Sequence, residues 1–353
     1  MSVRSITTAL SACSFFVGWA LAGGAAAQVL TPEFAGSYSI ADLGSPPGVP
    51  TNLGGLTFKP GDSNTLYIGG AANSFNAKVY AVPVTRDANG HITSFGAGVP
   101  FCDANGTSGG IDGGLEFGPG GGLFYTTFSD NVLGQVKPGS TVPNRLISLT
   151  PLGVASSTGT LRFVPPGFPG AGRLKIASYS LGIWYDTTVV PQRDGTYLLG
   201  PLSAGIGVGG GPEGIVYIHA GDPQFDADTV LISEYSLGSI AAYEVNANGD
   251  PIPATRRTMV TGLVGAEGAV QDPVSGDYLF STFGGGNRVI AIQGFTATIC
   301  DGDLDGNGSV DASDLAVLLG AWGASCGSPA DLDGNCTVNA ADLAVLLGSW
   351  GPC

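Results

Sequence analysis

Glu213-Gly214-Ile215-Val216-Tyr217, a turn through Pro223, Val230-Leu231-Ile232-Ser233 and then Tyr235-Ser236-Leu237-Gly238 form the stretch whose reading decides the fold. The apolar runs are too short for helices and are rich in β-branched residues, so each reads as a buried strand. Proline between them fixes φ and ends pairing. The same pattern recurs at Gly55-Leu56-Thr57-Phe58, Gly114-Leu115-Glu116-Phe117, Thr160-Leu161-Arg162-Phe163 after Gly159, and Gly268-Ala269-Val270. Each start leads to a turn bearing Pro60, Pro119, Pro169 or Pro273, then to a second strand over 65–68, 123–126, 174–177 or 278–281. The exit Tyr179-Ser180-Leu181-Gly182 repeats Tyr235-Ser236-Leu237-Gly238.

Four short strands recurring roughly every 50 residues describe propeller blades. The last segment holds only three, and Ser37-Tyr38-Ser39-Ile40-Ala41-Asp42-Leu43 supplies the fourth. The expectation is a mainly β chain with a five-bladed propeller over 28–295. Six blades is the alternative if 96–111 hides another sheet, and a β-sandwich is the competing architecture.

Through Glu213-Gly214-Ile215 and Glu267-Gly268-Ala269 the body resembles propellers of the NHL and gluconolactonase-like group. In such folds blade-opening residues line the central channel, so the resemblance implies that Asp112, Glu213, Glu267 and Asn52 converge near one mouth. It also implies a divalent metal there, either structural or polarising an ester carbonyl in a lactonase-like hydrolase.

The acidic end of the chain is a second unit, 296–353. Asp303-Leu304-Asp305-Gly306-Asn307-Gly308-Ser309-Val310-Asp311-Ala312-Ser313-Asp314 returns as Asp331-Leu332-Asp333-Gly334-Asn335-Cys336-Thr337-Val338-Asn339-Ala340-Ala341-Asp342. A calcium loop of the EF-hand kind needs oxygen donors at positions 1, 3, 5, 9 and 12, a carbonyl at 7 and glycine at 6. The first loop offers Asp303, Asp305, Asn307, the Ser309 carbonyl, Asp311 and Asp314; the second offers Asp331, Asp333, Asn335, the Thr337 carbonyl, Asn339 and Asp342. Cys336 stands where the second loop wants glycine, so a side chain is expected at positive φ there. Apolar residues follow at helical spacing, Leu315, Leu318, Leu319 and Trp322 against Leu343, Leu346, Leu347 and Trp350, and two such faces are expected to pack together. This tandem resembles a type I dockerin, which implies folding around calcium and docking onto a cohesin-like receptor or cell-surface protein.

Composition agrees with export. Arg4, an apolar run over 15–22 and Ala25-Ala26-Ala27 before Gln28 have the form of a secretory signal peptide cleaved near Ala27. Leu10-Ser11-Ala12-Cys13 comes too early to be a lipidation signal, and no later segment is apolar enough to span a membrane. The expected location is secreted, cell-surface or periplasmic, in a bacterium. Net charge is −15, and all 13 basic residues lie at or before Arg288, with no basic cluster suited to nucleic acid. In an oxidising compartment Cys300, Cys326, Cys336 and Cys353 should form two bridges of undetermined pairing, and Cys102 is left as a buried thiol.

Other chemistry-bearing residues read as structural. His91 and His219 have no nucleophile motif near them. Glu116 and Glu234 join Asp112, Glu213 and Glu267 as carboxylates from which a glycosidase pair could be drawn. The glycine runs 209–211 and 284–286 lack the Lys-Ser/Thr of a phosphate cradle. Trp184 could stack on a carbohydrate or fill a seam between blades. The first functional expectation is an exported calcium-binding propeller acting as a binding or scaffold module; the alternative is a hydrolase, lactonase-like or part of polysaccharide breakdown.

Overall fold

The computed structural model describes Met1 and residues 28–295, 302–304, 309–325 and 328–352. The signal-peptide reading of 1–27, Asp305 and Asn307 of the first loop, and Cys300, Cys326 and Cys353 lie outside the described residues.

Five antiparallel sheets follow one another along the chain as blades. Blade 1 stacks Leu56–Lys59, Asp62–Gly70, Lys78–Arg86 and Ile92–Phe95, and blade 2 stacks Gly110–Phe117, Leu123–Phe128, Val132–Val136 and Arg145–Ser148. Blade 3 holds Thr158–Phe163, Leu174–Ser178, Ile183–Thr187 and Ile206–Gly207, with a hairpin of Val189–Pro191 and Tyr197–Leu199 inserted before the last of these. Blade 4 comprises Pro212–Ile218, Thr229–Glu234, Ser239–Glu244 and Arg257–Thr261, and Val29–Leu30 adds a fifth strand to its edge.

Blade 5 has Ala266–Gln271, Tyr278–Thr282 and Val289–Gln293, and Ser39–Gly44 from the start of the propeller completes it, Ile40 opposite Ile292. The ring therefore closes as the sequence predicts. The six-blade alternative is corrected: Val99–Asp103, inside the stretch in question, pairs with the third strand of blade 1 and builds no sheet of its own.

The apolar core is divided among the blade seams. Five buried clusters each join the facing sides of two neighbouring sheets, for example Leu56, Ile68 and Val82 of blade 1 with Leu279 and Ala291 of blade 5. Inner strands are covered on both sides, which explains their unbroken apolar reading.

Glycine fixes how closely the blades meet at the axis. A Cβ on Gly55 would lie 2.7 Å from Leu115 of blade 2, one on Gly114 2.6 Å from the Leu161 amide of blade 3, and one on Gly159 2.1 Å from Pro212 O of blade 4. Likewise a Cβ on Gly214 would lie 2.3 Å from Glu267 O of blade 5, and one on Gly268 2.6 Å from Gly55 Cα of blade 1. The glycine that opens each repeat is thus one of five that pinch the axis shut, each lacking room for a side chain.

Among its described residues the C-terminal unit contains two helices, α1 (Ala312–Gly320) and α2 (Ala340–Gly348). Each begins with a capping box: Asp311 with Asp314, and Asn339 with Asp342. Leu318 and Leu346 are buried with Val310, Ala330 and Val338, and Leu315 and Leu343 pack against them. Leu319, Trp322, Leu347 and Trp350 instead remain exposed, which corrects the expectation that the whole Leu/Trp faces pack together. A nine-residue helix can turn only about 100° of its circumference to one small core, and the remaining apolar positions fall outside that arc.

Candidate functional site

The chemistry sits beside the pinching glycines, with Glu213 and Glu267 just before Gly214 and Gly268, and Asp112 two residues before Gly114. Asp112, Glu213 and Glu267 enter the axis from the inner strands of blades 2, 4 and 5, all within 3% of full burial. One carboxylate oxygen from each lies within 4.8 Å of the other two. Asp112 Oδ2, Glu213 Oε2 and Glu267 Oε2 are buried without a hydrogen-bond partner.

Three carboxylates held this way disfavour ionisation. Burial pushes each well above the usual carboxylate range, and their mutual repulsion adds to the rise at Glu213 and Glu267. The Asn73 side chain, donating to Asp112, acts in the opposite sense. A divalent cation removes the repulsion. Oxygens bound to calcium at 2.3–2.6 Å can lie at most about 5 Å apart across the ion, which is the spacing found here.

Asn52, expected beside these groups, sits at the seam of blades 1 and 5, its backbone N–H donating to Asn287 Oδ1 at 2.6 Å. The amide that reaches Asp112 is Asn73, a loop residue at φ 65° between the second and third strands of blade 1. Its sequence signal was faint, because an asparagine in a loop has many uses.

The second C-terminal loop gathers a similar set. Oxygens of Asp331, Asp333 and Asp342 lie within 4.8 Å of one another, and Asp331 Oδ1 is buried without a partner. Burial raises the Asp331 pKa, and the carboxylates of Asp342 and Asp333 add to the rise. Asp342 spends one oxygen on the Asp333 N–H at 3.1 Å and the other on the Asn339 N–H at 2.7 Å. Asn335 accepts from the Thr337 N–H at 3.0 Å, and the Asn339 amide donates to the Thr337 carbonyl at 2.7 Å. Cys336 takes φ 71°, the left-handed conformation that position 6 of such a loop demands.

In the first loop the described ligand candidates follow the same plan. Asp314 accepts from the Leu304 N–H at 2.6 Å and the Asp311 N–H at 2.8 Å, and Asp311 accepts from the Ser313 N–H at 2.7 Å. Ser309 lies in the short strand Ser309–Val310, which pairs with Gly351–Pro352. The second loop touches the propeller: Cys336 Sγ is 3.3 Å from the Tyr197 hydroxyl of the blade 3 hairpin.

No protein-family profile matches the chain, and neither does any curated protein. Among solved structures the chain is similar to a putative oxidoreductase (glucose dehydrogenase) of Thermus thermophilus, at 14% identity and a TM-score of 0.41 over 72% of this chain and 99% of that one. It is also similar to an auxiliary nutrient binding protein of Bacteroides thetaiotaomicron, at 10% identity and a TM-score of 0.40 over 74% and 77%. A PQQ-bound aldose sugar dehydrogenase of Streptomyces coelicolor gives 15% and 0.36 over 71% and 83%. Scores at this level carry nothing about chemistry, and the propeller is read from the chain's own sheets.

The remaining candidates are dispersed. Glu234 is buried and accepts from Arg256 Nε at 2.8 Å, the Ser239 hydroxyl at 2.6 Å and the Tyr243 hydroxyl at 2.8 Å, so it is a fully engaged structural carboxylate in blade 4. Glu116 lies beyond the glycine pinch, on the opposite side from Asp112. His91 Nδ1 pairs with Asp277 Oδ2 at 2.7 Å across the closing seam, and His219 stacks on Phe168 at 3.8 Å. Trp184 is fully buried, donating to Asp250 Oδ1 at 3.0 Å. Among the described residues no helix is long and apolar enough to cross a membrane.

Proposed function

We propose that the chain is an exported calcium-binding β-propeller protein. On this reading the propeller is a binding body, and the C-terminal pair of loop-helix units is a dockerin-like module. That module fastens the propeller to a cohesin-like receptor on a cell surface or in an extracellular assembly. The observation that carries the proposal is the second loop, where three carboxylates crowd one point and a buried Asp331 oxygen has no partner. Such a loop repels itself unless a cation sits in it. Asp303, Asp305, Asn307, Ser309, Asp311 and Asp314 form the equivalent set in the first loop. Leu319 and Trp322 of one repeat and Leu347 and Trp350 of the other supply an exposed apolar surface in matching positions, which suits attachment. In the oxidising space outside the cell the four tail cysteines would pair and staple this small unit.

The test is a calorimetric calcium titration of the full chain. Asp331→Asn with Asp342→Asn should remove one site, and Asp303→Ala with Asp314→Ala another. Unchanged stoichiometry in both variants would show that the loops do not bind.

The axial carboxylates favour a second reading, a metal-dependent hydrolase. Catalysis needs an ion with a position open to substrate. Each of the three unpartnered oxygens is sealed from solvent, so an ion there fits a structural role that clamps three blades together. Hydrolysis of a simple lactone or glycoside, lost in Glu213→Gln, would reverse that choice.

A further inference from the structure

On the far side of the glycine pinch the axis opens again. A cavity of about 370 Å³ lies among the ends of the inner strands, reached by Thr57 and Phe58 of blade 1, Glu116 and Phe117 of blade 2, and Arg162 of blade 3. This volume falls within the range of small-molecule sites. Phe58 and Phe117 line it together with hydrogen-bonding groups that include Gln271 of blade 5, and Lys59 and Asp62 both line it too, so their opposite charges offset each other.

Arg162 is the buried cation at its wall. Its side chain is only 9% exposed, yet Nε is buried without a hydrogen-bond partner. The nearest carboxylate oxygen, Glu116 Oε1, is 3.5 Å away, too long for a hydrogen bond, while Glu116 Oε2 is occupied by the Phe163 N–H at 2.5 Å. Other buried cations of this chain meet carboxylates at full hydrogen-bond distance. Arg86, whose Nε is likewise without a partner, still makes a two-pronged pair with Asp272 through its other nitrogens at 2.6 and 2.8 Å, and Lys175 contacts Asp186, Asp250 and Asn248 O at 2.6–2.9 Å. A guanidinium whose ion pair with Glu116 includes no Nε hydrogen bond keeps, at the wall of a cavity, donor capacity for an acceptor from a ligand, since a buried donor left without one is costly.

We propose that this cavity binds a small hydroxylated carboxylate of the sugar-acid class, its carboxylate on Arg162 and its ring against Phe58 and Phe117. A guanidinium matches a carboxylate with two parallel hydrogen bonds. Thr57 and Glu116 supply donor and acceptor capacity for hydroxyls, and Glu116 also competes with the ligand for Arg162. The inference rests on reading the propeller as a binding body, and lactone or glycoside hydrolysis would count against that reading without touching affinity at this cavity.

Calorimetric titration of the full chain with D-glucuronate, D-glucose and inorganic phosphate tests it. Glucuronate should bind and glucose much more weakly. Arg162→Gln should weaken glucuronate binding by about tenfold or more, the loss expected for a hydrogen bond to a charged group. Glu116→Gln keeps the acceptor for the Phe163 N–H but removes the competing charge, so it should tighten binding, an effect that a merely structural Glu116 would not give. Arg162→Lys, which retains the charge, should recover part of the affinity if Arg162→Gln folds poorly. No heat with glucuronate at roughly 10 mM, tenfold above a 1 mM Kd, would overturn the proposal. So would equal affinity for phosphate, or an affinity indifferent to both Arg162→Gln and Glu116→Gln.

Discussion

Replacing two of the three axial carboxylates, Glu213→Gln with Glu267→Gln, should reverse how the propeller responds to calcium and to pH. In wild-type protein held in chelator, the three groups are more easily protonated when folded than when unfolded, because burial raises their pKa values. The folded state then binds more protons at these groups, so their contribution to stability is greatest below about pH 4, near the unfolded pKa values, and falls as pH rises toward the raised folded values. The variant has lost that repulsion and should keep its stability at pH 8 in chelator. Calcium changes the order. At 100 times its Kd a ligand specific for the folded state contributes about 2.7 kcal/mol. With an unfolding entropy of about 2.1 cal/mol/K per residue over a propeller of this length, that is a rise in Tm of about 5 °C. The assay is thermal unfolding followed by near-ultraviolet circular dichroism, to which the buried Trp184 contributes, in calcium and in chelator at pH 5 and pH 8. A wild-type Tm indifferent to calcium would refute the reasoning. An equal calcium shift in the double variant would refute it too, because the shift would then belong to the C-terminal loops.

Other outcomes follow from the same geometry. Lys175→Met strips the cation from between Asp186 and Asp250 and should cost about 3–5 kcal/mol, measured by denaturant unfolding. Gly159→Ala places a Cβ 2.1 Å from Pro212 O and should destabilise by more than the 1–3 kcal/mol typical of overpacking, whereas Gly207→Ala meets nothing within 4 Å and should be near neutral. His91 has its pKa raised by the hydrogen bond to Asp277 across the closing seam. Its contribution is therefore full below about pH 6.5 and is lost as pH rises through the folded value, so the Tm gap between wild type and His91→Gln should shrink from pH 5.5 to pH 8. Glu116, pushed up to about 7 by burial, releases Arg162 on protonation, so glucuronate affinity should fall between pH 6 and pH 8 in wild type but not in Glu116→Gln.

Much of this was legible in the chain because local rules and the fold agree. Each strand repeat is cut by proline, each opens on the glycine the axis requires, and the segment 37–43 carries the strand that the last blade lacks. The Glu-Gly pairs marked the axis because the residue before a pinching glycine has little choice but to face inward. In the C-terminal unit the two helix starts and the positive φ of Cys336 were legible for a related reason, because capping residues and a tight turn act within a short stretch of chain.

What the sequence could not determine is which distant groups meet. The resemblance to gluconolactonase-like propellers put Asn52 beside the axial carboxylates, but the loop geometry of blade 1 delivers Asn73. Helical periodicity marked Leu319, Trp322, Leu347 and Trp350 as inward-facing, but the small core between two nine-residue helices has no room for them. Nothing along the chain joins Arg162 to Glu116, or Lys175 to Asp250, because these pairs belong to different strands or different blades. By itself the sequence determined the repeat, the closing strand and the helix starts of the C-terminal unit, all set by local backbone and turn chemistry. The tertiary structure alone decided which buried charges find partners and which, like Arg162 and the axial carboxylates, are left with bonding capacity to spare, because that depends on how five sheets converge on one axis.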